Sequence, residues 1–297
     1  MEAKPLGPLV VIVGPTASGK SALGMEVARK YNGEIIAADS RTVYKGLDIG
    51  TAKPSKQDRQ EIPHHLIDVV EPDQTFTAGQ FKKLANQAIA SVTARGRLPI
   101  MVGGTGLYID GILFDYQFGA SDAERRVELN QMTVDELTSL LRNSRFGLPT
   151  DVRNKRHLVR AIEQEGVNKQ RQATHRPNTI VVGIATSRSL LRQAIVARAE
   201  YMFSEYVVKE ATDIAKKYGW HSEAMSGNIY PILRRLQAGE IDEEEARTLF
   251  ITADMQLAKR QMTWLQRNPY IRWFAKPEDA LEAIEHFLTT PKSAPLS

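Results

Sequence analysis

A parallel α/β sheet flanked by helices and interrupted by a small helical insertion is the fold the sequence predicts, and three observations predict it. The chain opens on a short apolar run, a glycine-rich turn and a helix. Apolar runs that end in glycine then alternate with stretches of helical period. Between about 119 and 177 the strand signals stop, and they return at Thr179. Strands that alternate with helices lie parallel, and a parallel sheet is covered on both faces, so its strands read as continuous apolar runs.

The elements follow in order. Leu9-Val10-Val11-Ile12-Val13, preceded by Pro8 and ended by Gly14, reads as a buried strand, and Ser21 to Tyr31 puts Leu23, Val27 and Ala28 on one helical face. Glu34 to Asp39 gives a second strand with a carboxylate at its C-terminal edge. An extended stretch runs through Ile62-Pro63-His64-His65-Leu66-Ile67-Asp68. A helix is expected from about Thr77 to Ala94, and Leu98 to Val102 makes a strand ending in Gly103-Gly104. Within the polar insertion, Val134 to Leu141 and Leu158 to Glu165 have helical period. Thr179 to Ile184 restores the strand pattern, with long helices expected at roughly 188 to 218 and 242 to 266. The Pro/Ser-rich tail beyond Thr289 is expected to fray. The expected domains are a core formed by 1–118 and 178–297 and an insertion of 119–177.

The 297 residues are 42% hydrophobic and 25% charged, a globular composition. Cysteine is absent, which removes disulfides, thiolate metal sites and cysteine nucleophiles and fits a reducing compartment. The apolar run Leu9 to Val13 is far too short to span a bilayer, so a cytoplasmic protein with no membrane partner is expected. The net charge of +4 is mild, but it is clustered. Arg153, Lys155, Arg156, Arg160, Lys169, Arg171 and Arg176 fall close together, and Lys259, Arg260, Arg267, Arg272 and Lys276 interleave with Trp264, Tyr270, Trp273 and Phe274. Cations pair with phosphates and planar groups stack on splayed bases, the usual grip on single-stranded nucleic acid. The two tryptophans fit a core position equally.

Gly14-Pro15-Thr16-Ala17-Ser18-Gly19-Lys20-Ser21 fits G-x-x-x-x-G-K-[ST] and lies directly between a strand and a helix. Glycines let the backbone curl so that N–H groups meet one oxyanion, the helix N-terminus adds partial positive charge, and Lys20 adds a full one. These eight residues are the candidate diphosphate site, with Ser21 as candidate ligand of a Mg2+ ion, and they make the predicted fold P-loop NTPase-like. A nucleoside-triphosphate hydrolase normally shows a further strand ending in an acid. Leu98 to Val102 ends instead in Gly103-Gly104-Thr105-Gly106, and Asp39 is the acid at a strand end. Open α/β sheets bind ligands at that edge. There Asp39 either supports a metal, caps a helix, or takes a proton from an incoming nucleophile.

Five blocks together carry a resemblance. They are Gly14 to Ser21; Asp39-Ser40-Arg41 with Val43-Tyr44-Lys45-Gly46-Leu47-Asp48-Ile49-Gly50-Thr51-Ala52-Lys53-Pro54; Pro63 to Asp68; Gly103-Gly104-Thr105-Gly106-Leu107-Tyr108; and Ala258-Lys259-Arg260-Gln261-Met262-Thr263-Trp264. In this order they resemble the tRNA dimethylallyltransferase family, also called tRNA isopentenyltransferase, over residues 9 to about 274. The resemblance implies transfer of a dimethylallyl group from dimethylallyl diphosphate to N6 of the adenine just 3′ of the anticodon, position 37, with release of diphosphate. It implies as partners the tRNA anticodon stem-loop and the prenyl donor, and no protein partner.

The resemblance also implies roles. Asp39 is the base, Lys20 and Thr105 belong to the catalytic set, and Arg198 lies near the diphosphate. Asp39, Ser40, Arg41, Thr42, Thr105, Arg156, Arg160, Lys259 and Arg260 face tRNA. From sequence alone Thr105 reads equally as a helix cap, and Arg198 as a solvated arginine on an amphipathic helix. His64 and His65, adjacent on an extended chain, point to opposite sides and make a structural or RNA-facing pair rather than a metal site. Three features depart from the family pattern. Thr42 stands where glutamine is usual, Asn228-Ile229-Tyr230-Pro231-Ile232 lacks the usual Gly-Tyr-Lys-Glu run, and the insertion is short. Two rival readings stand beside this one: a P-loop small-molecule kinase, and a non-catalytic RNA-binding protein that uses the loop only to hold nucleotide.

Overall fold

The computed structural model describes residues 6–118, 123–145, 147–149, 151–163 and 174–290; the side chains of Ala123, Glu124 and Arg156 lie outside that description. Lys169, Arg171 and the Pro/Ser-rich tail beyond 290 also fall outside it. Among the described residues, six parallel strands form one sheet in the order β3-β2-β4-β1-β5-β6: β1 Leu9–Val13, β2 Gly33–Ala38, β3 His64–His65, β4 Leu98–Gly103, β5 Thr179–Ile184 and β6 Arg272–Phe274. β1 is central, with Val10 opposite both Ile100 of β4 and Ile180 of β5. Its five residues are all buried, which accounts for an uninterrupted apolar run where a half-exposed strand would alternate.

Helices cover the sheet. α1 (Lys20–Lys30) and α12 (Pro277–Thr289) pack Leu23, Val27, Ala280 and Ile284 against Val10, Ile12, Ile100, Val102 and Val182, a face set by every second strand residue. A second core gathers α8 (Arg188–Met202), α9 (Glu205–Tyr218), α10 (Ile229–Gln237) and α11 (Glu243–Leu265) around Val43, Tyr44 and Leu47 of the segment after β2. Among the described residues the chain also forms α2 (Lys56–Glu61), α3 (Ala78–Ala94), α4 (Gly106–Leu113) and a short 3-10 helix, Glu223–Ser226.

The helical stretch expected at 188 to 218 is two helices. Ser204 stands at the N-cap of α9, and Phe203 before it meets Phe250 edge-on, ring centroids 6.1 Å apart. The chain divides into two compact units, Met1–Leu113 with His175–Ser297, and Phe114–Thr174. The second contains α5 (Ala123–Gln131), α6 (Val134–Arg142) and α7 (Lys155–Glu163), closed by Leu129, Leu137, Leu141, Leu158 and Val159. α7 starts three residues earlier than its apolar period suggests, at Lys155, whose side chain is not buried. Among the described residues no helix is long and apolar enough to cross a membrane.

Candidate active site

The phosphate loop joins β1 to α1 at the sheet's C-terminal edge. Gly19 enters the helix at φ 85°, the left-handed region that a side chain resists, and no acid occupies the helix's first turn. Lys20 folds back so that its Nζ donates to the Pro15 carbonyl at 2.9 Å. Burial lowers its pKa to about 8; Asp39 opposes that shift, and Arg198 adds to it. Gly14, Pro15, Thr16 and Ser18 are buried and frame the turn. The Thr16 N–H does not point at an anion site: it donates to Gln261 Oε1 at 2.8 Å. Thr16 keeps its hydroxyl at the site, where it accepts from Arg198 Nη1 at 2.7 Å. Arg198 is therefore not a solvated arginine.

A cavity of about 480 Å³ opens beside the loop, lined by Thr16, Ala17, Lys20, Ser21 and Arg198 and also by Asp39, Thr42, Thr51 and Pro54. Asp39 is half-buried just past the end of β2, and its Oδ1 accepts from the Arg41 N–H at 2.7 Å. No helix begins there, so Asp39 is not a helix cap. Thr105 sits at the matching end of β4, where its Oγ1 accepts from the Ser40 N–H at 3.1 Å and its N–H donates to the Ala38 carbonyl at 3.2 Å. It ties the two strand ends together beside the acid. Arg41 points the other way, onto Ser226 Oγ at 2.7 Å and the Glu223 carbonyl at 3.2 Å. Thr42 is buried and lines the cavity, with a hydroxyl that has no hydrogen-bond partner among the described residues.

Much of the polar block after Asp39 holds the backbone. Lys53, whose side chain is 0% exposed, donates to the Tyr44 carbonyl at 2.7 Å, Asp48 at 2.8 Å and Asp68 at 2.5 Å. Glu210 of α9 accepts from the N–H groups of Asp48, Ile49 and Gly50 at 2.6, 2.7 and 3.0 Å, and from Tyr230 Oη at 2.9 Å. The histidines do point apart. His64 lines the cavity, and burial lowers its pKa, while His65 meets Glu34 at 2.6 Å.

The second glycine cluster and the second basic block explain each other. A Cβ on Gly106 would lie 2.1 Å from the Trp264 ring, whose Nε1 donates to Asp110 at 2.7 Å. Trp264 thus packs against α4, and Trp273 lies against Gly183 of β5. Lys259 and Arg260 are exposed on α11. Arg160 belongs to the other unit, where it pairs with Glu163 at 3.3 Å; Glu163 also takes Arg126 at 3.1 Å. Arg156 is on α7, and its side chain lies outside the described residues. Sequence reasoning missed Gln261 as a loop anchor, Glu210 and Asp254. Gln261 was visible inside a motif, but nothing local marks the other two.

A family model described as IPP transferase matches residues 42–268. The chain belongs to the IPP transferase family. The match begins after the phosphate loop and Asp39, which stand on their own geometry. A tRNA dimethylallyltransferase of Desulforudis audaxviator is 37% identical over 283 residues, 90% of this chain and 91% of its own. Among solved structures, a tRNA isopentenylpyrophosphate transferase from Staphylococcus epidermidis aligns with a TM-score of 0.72 at 34% identity, covering 96% of this chain and 99% of that one. The full-length enzyme of that name from Bacillus halodurans gives 0.71 at 30%, covering 95% of each. In this member of the family, one cavity is lined both by the cations Lys20 and Arg198 and by the carboxylate of Asp39.

Proposed function

We propose that this chain is a tRNA dimethylallyltransferase that works in the cavity beside the phosphate loop. The observation that carries the reading is that Lys20, Arg198 and Asp39 line one cavity in a chain of this family. The donor's diphosphate lies at Gly14 to Ser21. As its C1–O bond breaks, Lys20, Arg198 and the α1 N-terminus take up the charge that develops on the diphosphate. N6 of adenine 37 forms the new bond to C1, and its proton passes to Asp39, whose base role is worth ~10²–10⁴ in rate. The adenine's amine is a weak nucleophile because its lone pair is delocalised into the ring, so proton removal has to accompany bond formation. To reach the cavity the base leaves the anticodon-loop stack. Thr105 supports Asp39 through Ser40.

Mg2+ is the metal this reading calls for. The fit is that Ser21 offers a hard oxygen donor on the cavity beside the phosphate loop, and Mg2+ commonly takes one or two protein oxygens and completes its shell with phosphates and water. When bound it would supply positive charge for the leaving diphosphate. In this reading residues 1–118 and 178–297 hold the donor, and the insertion 119–177 grips the anticodon stem through Arg156 and Arg160. Ser40, Thr42, Lys259 and Arg260 face the anticodon loop, while the Arg41 side chain is engaged by Ser226 and Glu223. A tRNA substrate suits a cytoplasmic enzyme. The kinase reading lacks support from the family match. The test incubates the protein with Mg2+, dimethylallyl diphosphate and unmodified tRNA and weighs the nucleosides by mass spectrometry. N6-prenylated adenosine is expected, formed about 10²–10⁴-fold more slowly with Asp39→Ala; phosphorylation of a metabolite without prenylated RNA overturns the reading.

A further inference from the structure

Behind the phosphate loop lies an acid for which the chemistry above has no use. Asp254 of α11 is 3% exposed. Its Oδ1 accepts from Asn228 Nδ2 at 2.8 Å. Its Oδ2 lies 3.5 Å from Nη1 of Arg198 and accepts no hydrogen bond among the described residues. The same Nη1 donates to Thr16 Oγ1 at 2.7 Å, and Arg198 Nε is buried without an acceptor. A carboxylate this deep is tolerable only beside a cation, and a guanidinium normally closes on a carboxylate with two parallel bonds. Here the pair is drawn out to 3.5 Å and the arginine is held instead over the loop, on the wall of the cavity.

We propose that Asp254 is a positioning residue: it holds the Arg198 guanidinium over the phosphate loop, ready to take the donor's diphosphate, and Asn228 fixes Asp254 in turn. The proposal rests on the function proposed above. A long side chain loses rotamer freedom when it grips an anion, and a residue that has already restricted it removes that cost from binding. A purely structural ion pair would instead contribute to folding alone and leave the response of Arg198 to the donor unchanged.

The test is a double-mutant cycle on the full chain. Asp254→Asn keeps the shape and the contact to Asn228. It should raise the KM for dimethylallyl diphosphate about tenfold, with kcat at saturating donor and the KM for tRNA within about twofold of wild type. Arg198→Ala should raise donor KM at least as much, and adding Asp254→Asn to it should change nothing further. Additive effects, or a donor KM that Arg198→Ala moves and Asp254→Asn does not, overturn the proposal. Should Asp254→Asn fail to fold, Asn228→Ala takes its place and must raise donor KM only while Arg198 is present. Should the wild type make no prenylated tRNA, the proposed function fails, and the clamp is read from calorimetric binding of inorganic diphosphate. Asp254→Asn weakening that binding by a similar factor supports the clamp; an unchanged affinity overturns it.

Discussion

Lys20 gives the phosphate loop a charge that depends on pH near neutrality. Burial brings its pKa down to about 8 in the free protein. A diphosphate in the loop adds negative charge and raises that pKa again, so the complex holds a proton that the free protein begins to lose above pH 8. Donor KM should therefore be flat below about pH 8 and rise with pH above it, by up to about tenfold per unit. Initial rates against donor concentration between about pH 7 and 9.5 check this, and a flat profile contradicts it. The stability sign is opposite. Between about 8 and the free-lysine value of 10.5 the unfolded chain binds more protons, so the burial cost of the ammonium lifts as pH rises through that window. Lys20 was legible because its motif is contiguous. Arg198 was legible only through the family resemblance, since Thr16, which it bonds, lies 182 residues away from it in the chain.

At the scale of elements, the segment between β2 and α2 has little secondary structure and many polar side chains, and Lys53 shows why. Its buried ammonium gathers Asp48, Asp68 and the Tyr44 carbonyl, while Glu210 ties down three consecutive N–H groups. Without them these buried groups would be unpaired. Lys53→Met leaves Asp48 and Asp68 without their buried cation. Arg59 still bonds Asp68 at 2.8 Å, and both carboxylates are partly exposed, so the loss should be about 2–3 kcal/mol in a denaturant titration. Wild-type stability would contradict the role. Read as sequence, this block looked like site chemistry, because spacing cannot separate a polar residue that meets substrate from one that satisfies backbone. The long strands were legible from double-sided burial. β3 and β6 are too short to carry a period, and α10 was obscured by Pro231, which its first turn tolerates.

For the whole molecule, the sheet's order decides where the chemistry sits. β1 is flanked by β4, which follows β2 and β3, and by β5, which follows the insertion, so the chain reverses direction around the phosphate loop. Open α/β sheets place ligands at that switch point. The strand order could not be read from the sequence, yet Asp39, Thr105 and Lys20 could be assigned to one edge because each follows the C-terminal end of a strand. What stayed hidden comes from distant helices: Gln261 reaches Thr16 across 245 residues. The central claim is that the phosphate loop and Asp39 address the two halves of one reaction. A crystal structure with an unreactive thiolo analogue of dimethylallyl diphosphate and an anticodon stem-loop tests it most directly. The account predicts the diphosphate on Gly14 to Ser21 and the adenine N6 about 2.6–3.2 Å from an Asp39 carboxylate oxygen. A diphosphate bound away from that loop, or an Asp39 turned from the adenine, would contradict it.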